Sequence, residues 1–90
     1  ATMTMPADVA AQARAALATI RRVLAEAGIE MTEIVRSRYV VTERDAATAL
    51  APEEREAFGA APPAATLVVA KLLDPAMKVE IEVTAHRSSA

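Results

Sequence analysis

The chain has 90 residues, a formal net charge of −2 and no cysteine. Its length predicts one domain, residues 1–90, and its composition argues against a disulfide scaffold. The charge argues against nucleic acid and anionic membranes as partners, because both are attracted by a strong positive field. No apolar run approaches the ~20 residues of a membrane-spanning helix. We therefore expect a cytoplasmic protein.

The apolar residues of the chain are mostly small. Twenty-three residues are alanine, and the chain contains one Tyr, one Phe and no Trp. A core built from such side chains buries little apolar surface per residue. We therefore expect the chain to associate and so bury more surface.

Residues 6–27 have the periodicity of an amphipathic helix. Apolar residues recur at steps of three and four and form one face: Val9, Ala13, Ala16, Leu17, Ile20, Leu24 and Ala27. Gln12 is expected outside this face. Asp8 favours the positively polarised start of the helix. Gly28 suits the left-handed position after its end, with Ile29 folding back onto the last turn.

Residues 34–42 are rich in β-branched side chains and predict a strand. One face of the strand comprises Val35, Ser37, Tyr39 and Val41. The other face comprises Ile34, Arg36, Arg38, Val40 and Thr42. The mixed composition of this second face predicts only partial burial.

Residues 45–58 form a second predicted helix, with Asp45 as its N-cap. Pro52 conflicts with a continuous helix, because proline lacks the amide hydrogen and clashes with the preceding turn. We therefore expect a kink, or a helix that ends near Leu50 followed by a new turn that begins at Pro52.

Two further strands are predicted at 65–70 and 77–85. The first forms a right-handed parallel βαβ unit with strand 34–42 and helix 45–58, and the second returns antiparallel. The order helix–strand–helix–strand–strand predicts an α+β fold, with a mixed sheet and two helices packed on one face. Because a three-stranded sheet exposes two edges, we expect association or additional strands.

Five segments of the chain carry a resemblance to a known family. They are QARAALATI and LAEAG at 12–20 and 24–28, EIVR and YVVT at 33–36 and 39–42, FG at 58–59, PPA at 62–64, and VEIEV at 79–83. With this spacing the chain resembles the reactive-intermediate deaminase family, also called YjgF-like or L-PSP endoribonuclease-like. The resemblance covers roughly residues 8–87.

This resemblance implies a chorismate-mutase-like fold and a homotrimer with clefts between its subunits for a small-molecule ligand. Active members of the family hydrolyse reactive enamines and imines, such as 2-aminoacrylate, to keto acids and ammonia. The implied mechanism needs no cofactor. An arginine holds the carboxylate of the substrate, and a glutamate positions the attacking water.

The chain departs from the family where this chemistry is expected. Ala65 stands in place of the arginine and cannot clamp a carboxylate. Leu67 replaces a common cysteine, whereas the glutamate is retained as Glu80. The family's N-terminal strands have no counterpart before Thr2. We therefore expect either a C-terminal piece of a longer protein or a natural short form.

The charged residues of two strands leave alternatives open. Glu80 is either the water-positioning acid of a cleft or an outward strand carboxylate. Arg36 and Arg38 either replace the missing arginine as an anion clamp or pair across the sheet with Glu80 and Glu82. In the first case Arg38 is a substrate-binding residue together with positions 65 and 67.

Tyr39 is expected to be a core or interface aromatic, and no cluster of metal ligands is recognisable in the sequence.

Three functions remain as hypotheses. The leading one is a divergent enamine or imine hydrolase in which Glu80 is catalytic. The second is a non-catalytic binding or regulatory trimer on the same scaffold. The third is RNA cleavage, which the net negative charge and the scarcity of aromatic residues disfavour.

Overall fold

The computed structural model describes residues 8–59 and 62–87. Its elements are helix α1 (Val9–Glu26), a 3₁₀ turn (Met31–Glu33), strand β1 (Ile34–Val41), helix α2 (Ala46–Phe58), strand β2 (Ala64–Val69) and strand β3 (Val79–Ala85). This is the predicted order, and the α+β fold is confirmed. The predicted start of the first helix at residue 6 and the expectation about strands before Thr2 lie outside the described residues.

Strand β1 is the centre of the sheet, whose order is β2-β1-β3. It runs parallel to β2 and antiparallel to β3. Tyr39 lies opposite both Leu67 and Ile81 in the register. This side of the sheet, on which Ser37, Tyr39 and Val41 are buried, is the helix face. The other side is the open face, and it carries Arg36, Arg38 and Val40 of β1 with Glu80, Glu82 and Thr84 of β3.

The core between the helices and the sheet is thin, as its composition predicted. Its buried cluster comprises Ala13, Tyr39, Val41, Ala46, Leu50 and Val79. Several larger apolar side chains stay in contact with solvent, including Leu67 at 41 % and Val69 at 52 % exposure. Both residues belong to the edge strand β2, so apolar surface remains exposed beside an unpaired strand edge.

Helix α1 is capped at both ends as its sequence predicts. Asp8 Oδ1 accepts a hydrogen bond from the amide of Ala11 at 3.0 Å. At the other end, Gly28 has φ of 75°, and the amide of Ile29 donates to the Leu24 carbonyl at 2.8 Å. This bond, from the second residue after the C-cap back to the last turn of the helix, is typical of a Schellman motif. None of the helices in the described ranges is long and apolar enough to cross a membrane.

An ion pair joins the two helices on their outer side. Arg14 Nε donates to Glu53 Oε1 at 2.9 Å, and its Nη2 donates to Oε2 at 3.2 Å. Hydrogen bonding to Arg14 lowers the pKa of the Glu53 carboxyl below its usual value. This two-pronged pair links the surfaces of α1 and α2, and because the Arg14 side chain is 68 % exposed it contributes little to stability.

Two expectations for α2 are wrong in part. Of the two alternatives at Pro52, the helix that ends near Leu50 is wrong, because the helix is continuous from Ala46 to Phe58 with Pro52 inside it. Asp45 does not cap it with its side chain, because Asp45 itself has helical angles (φ −66°, ψ −14°). Tight backbone turns satisfy the first amides instead, including the bond from Ala46 to the Glu43 carbonyl at 3.1 Å.

The predicted faces of β1 are wrong at its first residues. Val35 was assigned to the same face as Tyr39, yet it is 51 % exposed, while Ile34 is buried. The pairing with β3 shifts between Ile34 and Arg36, which marks a β-bulge or irregularity. An extra residue reverses the alternation, because side chains on a strand alternate with a period of two.

Candidate functional site

The acid predicted to be catalytic lies on the open face of the sheet. Glu80 is exposed and stands opposite Val40 in the β1–β3 pair. Its neighbours along the strand, Val79 and Ile81, point to the helix face and pack in or against the core. Among the residues that the structure describes, Glu80 makes no ion pair. Its carboxylate is therefore available to solvent or to a ligand.

The second glutamate of β3 is engaged. Arg38 Nη1 lies 3.5 Å from Glu82 Oε2, which confirms the predicted cross-strand pairing for these two residues. Both side chains are substantially exposed, so the pair is weak. Arg36 stands opposite Thr84, and these four side chains line a shallow pocket of about 190 Å³. Arg38 thus shares the open face with Glu80 but points its charge at Glu82.

The other two candidate residues lie on the helix face. Ala65 stands opposite Ser37, and Leu67 stands opposite Tyr39. Both line a cavity of about 300 Å³ between α2 and β2. The cavity is also lined by Tyr39, Ala47, Leu50, Ala51, Glu54, Arg55 and Thr66. Position 65 therefore opens into space beneath α2.

The candidate residues consequently form two separate groups within one chain. In the register, Ala65 is level with Ser37 and Glu80 is level with Val40, with β1 lying between β2 and β3. The two positions are two strand spacings apart across the sheet and three residues apart along the strand direction. These two separations combine to about 14 Å between the Cα atoms. Their side chains also point to opposite faces of the sheet. A single small substrate within one chain cannot contact both.

A buried hydroxyl in this cavity is a feature that the sequence analysis missed. Tyr39 is 3 % exposed, and neither its hydroxyl nor that of Ser37 has a partner within hydrogen-bonding distance, although the side chains of Ser37 and Glu54 lie close enough to shift the pKa of Tyr39. Burial raises the pKa of Tyr39 to about 12, and the nearby carboxylate of Glu54 adds to this rise. The alternation of Ser37 and Tyr39 on one strand face was the available signal. It predicted the burial of the ring but not the lack of a partner for the hydroxyl.

Gln12 is a second residue whose role was missed, because it was placed outside the apolar face of α1. It is 6 % exposed. Its Nε2 donates to the Ala76 carbonyl at 2.9 Å, and its Oε1 accepts from the amide of Lys78 at 2.8 Å. One amide side chain therefore satisfies two backbone groups just before β3. This contact ties α1 to the segment directly before β3, two residues from Glu80.

Within residues 8–59 and 62–87, no group of three or more His, Asp or Glu side chains is placed to hold a metal ion. Of the described acidic residues, Glu80 is the one whose position the resemblance predicts to be catalytic, and it is exposed.

Comparison with known proteins identifies the family. The family model for endoribonuclease L-PSP matches residues 1–87 of the chain. The chain belongs to this family. No curated protein matches the sequence.

Several solved structures share the fold of this chain. A member of the YjgF/YER057c/UK114 family from Mycobacterium tuberculosis is 34 % identical, with a TM-score of 0.87 over 91 % of this chain and 70 % of that one. A YjgF family member from Neisseria meningitidis is 27 % identical, with a TM-score of 0.87 over 94 % and 72 %. An uncharacterised protein from Pseudomonas aeruginosa is 26 % identical, with a TM-score of 0.86 over 94 % and 75 %.

Proposed function

We propose that the protein hydrolyses a small imine or enamine that lacks a carboxylate group, in clefts between the subunits of a homotrimer. Glu80 is the proposed acid–base residue. The observation that carries this proposal is that Glu80 is exposed without an ion pair among the described residues, whereas Glu82 is engaged by Arg38. A carboxylate free of a cation can accept a proton from water.

The split of the candidate residues supports a site made by two chains. Ala65 and Glu80 lie about 14 Å apart on opposite faces of one sheet. A neighbouring chain that brings its Glu80 to the cavity at Ala65 would unite the two groups. The apolar surface left exposed on β2, at Leu67 and Val69, supports such a contact.

The proposed reaction proceeds in three balanced steps. Glu80 accepts one proton of a water molecule while the water oxygen bonds to the imine carbon and the C=N bond becomes a C–N bond. Glu80 then returns this proton to the nitrogen, which gives a neutral carbinolamine. In the last step Glu80 takes the hydroxyl proton of the carbinolamine and passes it to the nitrogen as the C–N bond breaks, so that the carbonyl group forms and ammonia leaves. An enamine substrate first takes a proton at carbon to become the imine.

The substrate class follows from Ala65. A methyl side chain offers no donor to a carboxylate, and the residues lining the cavity beside it are mainly apolar. Arg38 does not compensate, since it lies on the open face and pairs with Glu82. Arg55 lines the same cavity, but so does the adjacent Glu54, whose negative charge opposes the binding of an anion there. We therefore propose a substrate whose end beside Ala65 is uncharged.

The second candidate function is a binding or regulatory trimer without catalysis. It is favoured by the lack of a clamping arginine at position 65. RNA cleavage, which the family's name suggests, has less support. A basic stripe on the open face would need Arg36 and Arg38, and Arg38 is neutralised by Glu82.

The deciding experiment measures ammonia release from two imines formed in situ, one by oxidation of benzylamine and one by oxidation of leucine. The wild-type protein and Glu82→Gln should both accelerate hydrolysis of the benzylamine imine. Glu80→Gln should slow it by about a hundredfold, the scale of acid–base catalysis. Ala65→Arg should gain activity on the imino acid from leucine. Equal rates for Glu80→Gln and Glu82→Gln would refute the catalytic role and favour the binding function.

A further inference from the structure

The shallow pocket on the open face of the sheet is lined by polar side chains alone. Its volume is about 190 Å³, and its lining residues are Arg36 and Arg38 of β1 with Glu82 and Thr84 of β3. In the register, Arg36 lies opposite Thr84 and Arg38 lies opposite Glu82. Two guanidinium groups face one carboxylate, so the lining keeps a net positive charge. The pocket therefore attracts an anion.

Arg36 is the cation of this pocket whose charge is not used within the fold. It is exposed and makes no ion pair or hydrogen bond with the residues that the structure describes. A guanidinium group presents five N–H donors in a planar fork that matches an oxyanion. Thr84 adds a hydroxyl from the neighbouring strand, with about 5 Å between the Cβ atoms of the two residues. A fork and a hydroxyl donor thus border the same space.

Arg38 has donors to spare despite its pairing with Glu82. The distance of 3.5 Å between Nη1 and Oε2 is longer than the roughly 2.8 Å of a strong charge-assisted hydrogen bond. Both side chains are substantially exposed, so water weakens the pair further. Arg36 and Arg38 are two residues apart on one strand face, about 7 Å between their Cα atoms. Their long side chains reach one anion placed between them.

We propose that this pocket binds a phosphate group, either as free phosphate or as part of a small phosphate monoester. Arg36 holds two of its oxygens, the Thr84 hydroxyl donates to a third, and Arg38 approaches from the other side. The site goes beyond the proposed hydrolysis and does not depend on it. Thr84 and Glu80 are four residues apart on β3, a separation of about 13 Å.

The arrangement of the donors favours a phosphate group over other anions. A tetrahedral group offers acceptors in several directions, and the donors of this pocket come from two strands. A planar carboxylate is matched by a single fork and leaves the other donors unused. Glu82 repels negative charge beyond one such group, because its carboxylate lines the same pocket. A polyanion such as RNA is therefore a poor ligand.

The test is a titration of the assembled protein with inorganic phosphate, with chloride used to keep the ionic strength constant. The NMR signals of the arginine Nε–Hε groups report the contact. The signals of Arg36 and Arg38 should shift and saturate. Arg36→Gln should weaken binding about tenfold or more, the worth of a charge-assisted hydrogen bond, and Thr84→Val about fivefold. Glu82→Gln should tighten binding severalfold, because it removes a negative charge and frees Arg38.

Two variants separate a site from general attraction by positive charge. Arg22→Gln removes the same charge from an exposed position on α1 that lines none of the cavities described above, and it should bind phosphate as the wild type does. Arg36→Lys keeps the charge but not the planar fork, and it should lose most of the affinity. Equal affinities of Arg22→Gln and Arg36→Gln would overturn the inference. So would the absence of a saturable shift at Arg36.

A parallel titration with glycerol 3-phosphate distinguishes the two sources of the phosphate group. Tighter binding of glycerol 3-phosphate than of inorganic phosphate would support a phosphate monoester as the ligand. Equal or weaker binding would support free phosphate. Saturation by chloride with the same affinity as by phosphate would refute a phosphate site, because chloride accepts no bidentate pair of hydrogen bonds.

Discussion

Arg38 and Glu82 stand directly opposite each other in the β1–β3 pair, with 3.5 Å between Nη1 and Oε2. This pair gives the two glutamates of β3 different surroundings. Glu82 lies beside a cation, whereas Glu80, two residues earlier on the same face, makes no ion pair with the described residues. The alternation Glu-Ile-Glu does not distinguish the two carboxylates, and only the register with β1 decides which of them faces Arg38.

Glu82→Gln should change the free energy of unfolding by less than about 1 kcal/mol, because exposed ion pairs contribute little. Equilibrium urea unfolding measures the change. Arg38→Gln in the Glu82→Gln background should add almost nothing further. A loss well above that limit would show that the pair is shielded from solvent in the assembled protein.

Gln12→Ala should destabilise the fold by about 1–3 kcal/mol, because the Ala76 carbonyl and the Lys78 amide both lose their partner. Urea unfolding gives the magnitude, and hydrogen exchange of the Lys78 amide should accelerate. Thr19→Ala, on the exposed side of α1, is the control and should have a small effect. Unchanged exchange at Lys78 would contradict the assigned role of Gln12.

Stability should fall as the pH rises from about 10 to about 12. An unfolded chain loses the Tyr39 proton near its ordinary pKa of 10.0, while the folded chain keeps it until about 12. The folded state binds more protons in this window, so raising the pH favours unfolding, by up to about 2 kcal/mol. Thermal unfolding against pH measures the slope. Tyr39→Phe should remove this part of it, and equal slopes in both proteins would argue against the burial of the phenol.

Pro52→Ala should stabilise the protein by about 1–3 kcal/mol. Helix α2 continues through Pro52, so the proline leaves one carbonyl of the preceding turn without its helical amide. The substitution restores that donor at an exposed position. Thermal unfolding should show a higher midpoint, with unchanged helix content by circular dichroism. An unchanged midpoint would mean that the chain already accommodates the proline without strain.

The order and type of the elements follow from the sequence, because they rest on local periodicity. The spacing of apolar residues in α1, the position of Gly28 and the β-branched runs of β1 and β3 each determine a local conformation. The α+β arrangement follows from connecting them with short loops. Where local rules conflicted, as at Pro52 in α2, tertiary packing prevailed over propensity.

The sequence by itself determined the fold class and the family, and it places a glutamate at position 80 and an alanine at position 65. Only the tertiary structure decided that these two positions lie on opposite faces of the sheet, that Arg38 pairs with Glu82, and that the Tyr39 hydroxyl is buried without a partner. The physical reason is that strand register and helix placement depend on contacts between residues far apart in the chain. The bulge near Ile34 and the Gln12 clamp on the loop before β3 are such contacts, and local periodicity carries no signal for either.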